Sequence, residues 1–378
     1  MKKICVIGGE GIGIEVIDSA HQVLKELSLK NTEIIEAFAG EIAEKKYGNA
    51  FPEETRAAID DSNAILFGAT QDKAVGTLMY LRFGLDNFAN IRPVKLYEGI
   101  KTPIKDIKNI DFIIIRENLE GLYSVIKIGE GNIKKLVKQG ILRDADYKDF
   151  FHSSKGYYAT KIITEYESQR VAKLACEKTV ERKKIGFPGR LTIVHKANVM
   201  LLTDGLFKRV AYSMAEDYIK KHKIKIDNYH VDIMAANLIR YAETYDVILA
   251  VNEYGDILSD LGAELVGGMG IAPSACVGSD HPYFEPVHGS APDIAGKGIA
   301  NPLAAILSLK MLLEYLKFKE AELLEKVIEE YFLQVADPAK NWKYLPPDLV
   351  PRTYREQNKF AKIKNVTQNI IDKIKKQD

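Results

Sequence analysis

Short apolar runs and amphipathic stretches alternate along this chain. Nearly continuous apolar runs fall at 4–7, 64–67, 112–116, 191–195 and 245–251. Runs of this length, bounded by turn residues, predict strands buried on both faces. Between them, residues 15–27, 169–182, 205–220 and 302–331 repeat apolar positions every three or four residues, as helices do when one face packs on a core. Asn301 can cap the last of these, and Pro302 suits its first turn. The alternation predicts an α/β protein. Two stretches depart from it. Residues 126–158 are polar, with glycines and mixed charges, and read as an excursion from the core, a clasp or a loop. Residues 337–378 are lysine-rich, broken by prolines and then weakly helical, a pattern that assigns them only packing or solvation.

Composition narrows the class. A chain of 378 residues with 46% hydrophobic and 28% charged positions can bury the core of one large or two intertwined domains. A formal net charge of +1 speaks against nucleic acid as a partner. Cys5, Cys176 and Cys276 have neither a disulfide-framework spacing nor a zinc spacing. They read as buried small hydrophobes in a reducing compartment. The apolar run after Lys2-Lys3 is too short for a signal peptide, and no run approaches transmembrane length. A cytoplasmic protein with no membrane partner is expected.

The glycine loop Gly8-Gly9-Glu10-Gly11-Ile12-Gly13 stands between a strand and a helix, where a dinucleotide-binding turn would sit. That fingerprint needs glycine at its first, third and sixth positions. From Gly9 the sixth position is Ile14, and from Gly11 it is Val16. The expectation is a tight turn near a ligand, not a standard Rossmann site.

Five segments carry chemistry. Arg82 and Arg92 flank a mostly apolar stretch, and two guanidinium forks suit an acid with several carboxylates. Arg116 ends a buried strand and Tyr123 follows seven residues later, where it can donate a proton. Lys196 follows another strand, with Asn198 beside it; partial burial would make the lysine a base near neutrality. Asp256 and Asp260 share a face if a helix starts at Gly255, and Asp232 lies upstream as a third carboxylate. Oxygen ligands alone suit Mg2+ or Mn2+. Last comes the stretch from Glu285 through His288, Gly289, Ser290, Ala291 and Asp293 to Asn301, rich in small residues that let backbone approach a ligand. His288 can stack on or bond a base. Asp293 can accept from ribose hydroxyls and would repel a 2′-phosphate, which favours NAD.

In this order and at these spacings the segments resemble the isocitrate/isopropylmalate dehydrogenase family, the β-decarboxylating dehydrogenases. Val194-His195-Lys196-Ala197-Asn198, Gly255-Asp256-Ile257-Leu258-Ser259-Asp260 and the stretch from Glu285 to Pro302 carry the likeness. The resemblance implies a two-domain isopropylmalate dehydrogenase-like α/β fold, not a standard Rossmann domain. Residues 1–87 and 267–378 would form the large cofactor-binding domain, and 88–266 a small domain with the dimer clasp. It also implies a homodimer with shared active sites, or a larger homo-oligomer built from it. Arg82, Arg92 and Arg116 would hold the substrate carboxylates. Lys196 and Asp232 would come from the partner subunit. Lys196 would assist removal of the hydroxyl proton, and Tyr123 would protonate the enol after CO2 leaves. Asp232, Asp256 and Asp260 would hold Mg2+ or Mn2+. Asn198, Glu285, His288, Gly289, Ser290, Ala291, Asp293 and Asn301 would bind NAD. The family's usual aspartate in the glycine loop is Glu10 here.

The turn before Arg82 would meet the substrate's variable group. Leu78 and Met79 make it apolar, and a third carboxylate buried there would be costly. 3-Isopropylmalate is therefore expected first, homoisocitrate or isocitrate second, and D-malate or tartrate third. A non-catalytic regulatory subunit would have lost some of the lysine, tyrosine, aspartates and arginines; all are present. A nucleotide-binding module without chemistry would leave the carboxylates unexplained.

Overall fold

A computed structural model describes residues 1–104, 109–143, 156–278 and 280–377. Its strands are β1 (Lys2–Ile7), β2 (Thr32–Ala37), β3 (Ala64–Phe67), β4 (Ala89–Lys95), β5 (Asp111–Glu117), β6 (Glu130–Asn132), β7 (Tyr157–Ala159), β8 (Arg190–His195), β9 (Lys225–His230), β10 (Val247–Ala250), β11 (Pro273–Val277) and β12 (Tyr283–Pro286). All but β6 and β7 join one ten-stranded sheet in the order β2-β1-β3-β12-β11-β4-β5-β10-β8-β9. Pairing is parallel toward both edges. It is antiparallel in the middle, where β11 meets β12 and β4 and where β4 meets β5.

The strands expected from apolar runs are all present. They are buried because helices cover both faces of the sheet, which is why they read as unbroken hydrophobic runs. The strands at the edges, β2 and β9, carry charges that keep them from pairing further. Pro93 lies in β4 opposite Ile113, whose N–H is used by Asp246 on the far side. The nitrogen of Pro93 therefore points toward β11, which pairs with β4 only over Ala89, Asn90 and Ile91.

The longer helices are α1 (Ile12–Glu26), α2 (Glu165–Lys184), α3 (Thr203–His222), α4 (Val231–Tyr241), α5 (Asn252–Leu265), α6 (Leu303–Tyr315), α7 (Glu320–Val335) and α8 (Ile363–Ile374). α6 is buried on almost every side, between α1, α7 and strands β11 and β12. The single helix expected over 302–331 is two: the chain turns at Lys317, which adopts a left-handed conformation with φ 57°. Asn301 does cap α6, its Oδ1 accepting from the Leu303 N–H at 3.0 Å. The excursion at 126–158 leaves the main sheet, and β6 pairs with β7 as a separate antiparallel ribbon; residues 144–155 of it lie outside those described. Cys5, Cys176 and Cys276 are free and buried, as expected. Among the described residues no helix is long and apolar enough to cross a membrane.

Candidate active site

Sheet register places the first group of polar side chains. Tyr283 lies opposite Cys276, Cys276 opposite Asn90, and Asn90 opposite Arg116. Cross-strand partners share a face, so these four form a row across β12, β11, β4 and β5, with Arg92 two residues along on the same face. Arg82 reaches the row from a π-helical turn, Tyr80–Gly84, that follows the short helix Val75–Met79. Such turns recur at functional sites because they redirect one side chain. Leu78 and Met79 are half-buried on that helix. Glu10 fixes its approach by accepting the N–H groups of Gln71 at 2.8 Å and Ala74 at 2.9 Å.

α5 packs over the row. It starts at Asn252, three residues before the expected Gly255, so Asp256 and Asp260 stand beyond the first turn, one turn apart. The helix N-terminus therefore does less to explain them as a pair. Gly255 is where α5 crosses Arg116: a Cβ there would lie 2.7 Å from the Arg116 Cβ. The Arg116 guanidinium, almost fully buried, donates to the Asn252 carbonyl at 3.1 Å, to Asn252 Oδ1 at 2.7 and 3.0 Å, and to Asp256. Arg92 donates to Asp256 at 3.0 Å and to Ser259 at 2.6 Å, and lies 3.8 Å from Asp260. The Tyr123 hydroxyl donates to the other Asp256 oxygen, and its ring lies 5.0 Å from the Arg116 guanidinium.

The electrostatics follow. Burial, with Arg92 and Arg82 nearby, pushes Arg116 down to about 10. Burial works against the charge on Asp256 as well, yet Arg116 and Arg92 outweigh it and hold the carboxyl below its ordinary value. Burial pushes Asp260, Glu285 and Tyr123 up. Arg82 is raised because Tyr283, Cys276 and Glu285 outweigh its burial. The site thus gathers three guanidinium groups in a dry setting and lends them Asp256 as a counter-ion. Several polar atoms around it have no partner among the described residues: both amide atoms of the fully buried Asn90, Arg82 Nε and Arg92 Nε. Unpaired buried donors and acceptors of this kind suit an anionic, hydroxylated ligand.

Asp256 and Asp260 offer oxygen ligands only, the set that fits Mg2+ or Mn2+. Among the described residues no three of His, Cys, Asp and Glu gather to hold a metal within the chain. Asp232, at the start of α4, is instead 2.6 Å from the Lys196 ammonium, which holds its carboxyl below the ordinary range. Lys196 is only partly covered. Asn198 is exposed in the same turn. The structure therefore shows two groups: Arg82, Arg92, Arg116, Tyr123, Asp256, Asp260 and Glu285 in one, Lys196 and Asp232 in the other.

The glycine loop packs against the stretch after Glu285. Gly11 has φ 59°, and a Cβ there would meet the Ser290 carbonyl at 2.1 Å. The Ile12 N–H donates to that carbonyl at 2.8 Å, pinning the stretch after Glu285 to the start of α1. Ala291 follows in a left-handed conformation, φ 36°. Beyond it, a cavity of about 640 Å3 is lined by His288, Ile299, Asn301, Asp348, Arg355 and Phe360, among others. Its size suits a nucleoside. Burial holds His288 below its ordinary pKa, and its Nδ1 faces the Gly289 carbonyl at 3.1 Å. A neutral ring with Nδ1 protonated presents Nε2 as an acceptor, and Nε2 has no partner among the described residues. A purine amino group matches it. Asp348 fixes Asn301 by accepting from Nδ2 at 2.9 Å.

One expectation changes here. The tail does more than pack or solvate, because Asp348, Arg355 and Phe360 come from it and wall the cavity. Glu285 is beside the arginines, not in the cavity with His288 and Asn301. Gly289 and Asp293 are exposed, and neither lines the cavity. Asn90, Asn252 and Ser259 were not singled out from the sequence, and Glu10 was noted only as a departure from the family's usual aspartate. Asn90, two residues before Arg92, had the alternation of a strand as its one available signal.

A model of the isocitrate/isopropylmalate dehydrogenase family matches residues 3–368. The 3-isopropylmalate/3-methylmalate dehydrogenase of Methanocaldococcus jannaschii is 45% identical over 331 residues, covering 87% of this chain and 91% of that one. The homoisocitrate dehydrogenase of the same organism is 42% identical over 338 residues, covering 85% and 87%. The crystal structure of isocitrate dehydrogenase from Methylococcus capsulatus superposes with a TM-score of 0.80 at 28% identity, covering 99% of both chains.

Proposed function

Because the chain belongs to the isocitrate/isopropylmalate dehydrogenase family, the β-decarboxylating dehydrogenases, we propose that it oxidises 3-isopropylmalate with NAD and releases the adjacent carboxylate as CO2. The observation that carries the reading is the buried cluster of Arg82, Arg92 and Arg116 around Asp256, with Tyr123 bonded to the same carboxylate. Asp256 occupies the arginines where a substrate carboxylate would. Relatives at 45% and 42% identity are named for different acids, so overall identity does not choose the substrate. Leu78 and Met79 do, by offering no partner to a third carboxylate.

The arginines bind and orient the two carboxylates. Lys196 takes the hydroxyl proton at C2, and Tyr123 returns a proton to C3 after decarboxylation. Asp256 and Asp260, with Asp232 of the partner subunit, would hold the Mg2+ or Mn2+. A metal held there would supply polarisation of the C2 oxygen, and a bound dinucleotide would supply the hydride acceptor. His288, Asn301 and the tail residues Asp348, Arg355 and Phe360 hold the adenosine end.

The test is NADH or NADPH formation at 340 nm with Mg2+, against 3-isopropylmalate, homoisocitrate, isocitrate and D-malate. Preference for 3-isopropylmalate with NAD is expected. Preference for a tricarboxylate overturns the role given to Leu78 and Met79, and preference for NADP overturns the cofactor assignment. Turnover with none of them supports a regulatory subunit.

We propose further that two chains share each site. Lys196 and Asp232 lie apart from the arginine cluster. The apolar side chains Val199, Leu201, Leu202, Ile233 and Ile239 in the segments that carry them, and Ile257 beside Asp256, are exposed, as a second copy would require. Lys196→Met and Tyr123→Phe are each expected to abolish turnover. Co-expressed, they should recover about a quarter of wild-type activity, because a mixed dimer keeps one intact site. No recovery would place both residues in the same chain's site.

A further inference from the structure

Outside the arginine cluster the chain buries a second set of charges. Lys161 follows β7 and precedes α2, with its side chain only 9% exposed. Its ammonium is 2.6 Å from Asp204 Oδ1 and 2.5 Å from Glu253 Oε1, and lies 4.8 Å from the Tyr254 ring centre. Asp204, in the first turn of α3, is fully buried, and its other oxygen accepts the Lys196 backbone N–H at 2.7 Å. Glu253, in the first turn of α5, is also buried, and its other oxygen accepts the Leu122 N–H at 3.2 Å, one residue before Tyr123. One ammonium therefore joins two carboxylates, and each carboxylate grips the backbone beside one of the two side chains given a proton to move.

Burying two carboxylates on one ammonium is an unfavourable way to hold three elements together; apolar side chains of similar size would do so at lower cost. Each carboxylate spends its second oxygen on a backbone N–H that no regular secondary structure would satisfy. We propose that Lys161 is a positioning residue that sets Tyr123 and Lys196 through Glu253 and Asp204. This rests on the roles given to those two residues above. Lys161 touches no reacting atom; it acts by fixing where two loops start.

The test separates the two arms. Asp204→Asn loosens the Lys196 side, and Glu253→Gln loosens the Tyr123 side, while both keep the shape. Turnover of 3-isopropylmalate is compared with that of its C2-deuterated form. Asp204→Asn is expected to raise the isotope effect on kcat, because the step that breaks the C2–H bond becomes slower. Glu253→Gln is expected to lower it toward one, because the later proton delivery becomes limiting. Lys161→Met should lower kcat about 30- to 300-fold with KM within about threefold, a loss of orientation and not of binding. Lys161→Arg should recover most of it. If the two carboxylate variants lose activity with the isotope effect unchanged, in proportion to lost folded protein by circular dichroism, the triad is structural and the proposal falls. If the wild type turns over none of the hydroxy acids, the functional reading falls and this role falls with it.

Discussion

Replacing Asp256 with Asn is expected to lower turnover at least about 10³-fold while tightening the grip on substrate in the absence of metal. The two effects have one origin. Asp256 is the proposed oxygen ligand closest to the arginines, and it is also their counter-ion. As Asn it supplies no charge to a metal, so polarisation of the C2 oxygen is lost. At the same time Arg92 and Arg116 are freed, and two forks without a counter-ion attract the substrate carboxylates more strongly. Isothermal titration of 3-isopropylmalate in EDTA should show about tenfold tighter binding than in the wild type. The wild type in EDTA should lose turnover as the variant does and regain it with Mg2+. A variant that keeps turnover within tenfold would end the case for a metal at this carboxylate.

The second large effect is expected at Asn90. Its amide is fully enclosed, and neither polar atom has a partner among the described residues. A group in that position costs about 1–3 kcal/mol of stability in the free protein. An α-hydroxy carboxylate presents both an acceptor and a donor, as the amide requires. Asn90→Leu, similar in size, should therefore raise the melting temperature of the free protein. It should also weaken 3-isopropylmalate binding about 10- to 100-fold and abolish most of the stabilisation that the acid confers. A structural role predicts the opposite sign for the melting temperature. Asn90→Leu that melts lower, or that binds the acid normally, would remove Asn90 from the site.

What could be read from the sequence follows how each residue is buried. β1, β3, β5, β8 and β10 are covered on both faces, so unbroken apolar runs reveal them. β2, β4, β9, β11 and β12 of the main sheet were not expected. β4 carries Asn90, Arg92 and Pro93, each of which argues against a buried strand until the neighbouring strands are known. β9 is polar because it lies at an edge. Arg82, Arg92, Arg116, Tyr123 and Asp256 were expected together, and the structure brings them together. Arg116 is conspicuous because it ends an unbroken apolar run, and the others because they stand in segments that carry the family resemblance. Asn252 and the Lys161 triad were missed because an amide or an ion pair means little until its partner is known, and theirs lie up to 136 residues away; Asn90 was missed because its enclosure depends on the strands beside it. The tail was undervalued for a similar reason: its lysines and prolines look like solvent-facing chain, whereas Phe360 and Asp348 face a cavity built by residues near 300.

The strand order has a consequence for how the chain is made. β3 and β4 are near neighbours in sequence, yet β11 and β12 lie between them in the sheet. As the polypeptide emerges from a ribosome, β1, β2 and β3 can pair early. The open side of β3 then waits for Tyr283 and Phe284, more than half the chain later. β4, β5, β8, β9 and β10 can associate in the interval. Throughout it the apolar side of β3 is available to the wrong strand, from this chain or from another. Closing so long a loop is slow, since its entropy is lost before the contacts that compensate it form. A nascent chain that stalls between residues 95 and 272 is therefore the form most in need of protection from aggregation, whatever the stability of the finished enzyme.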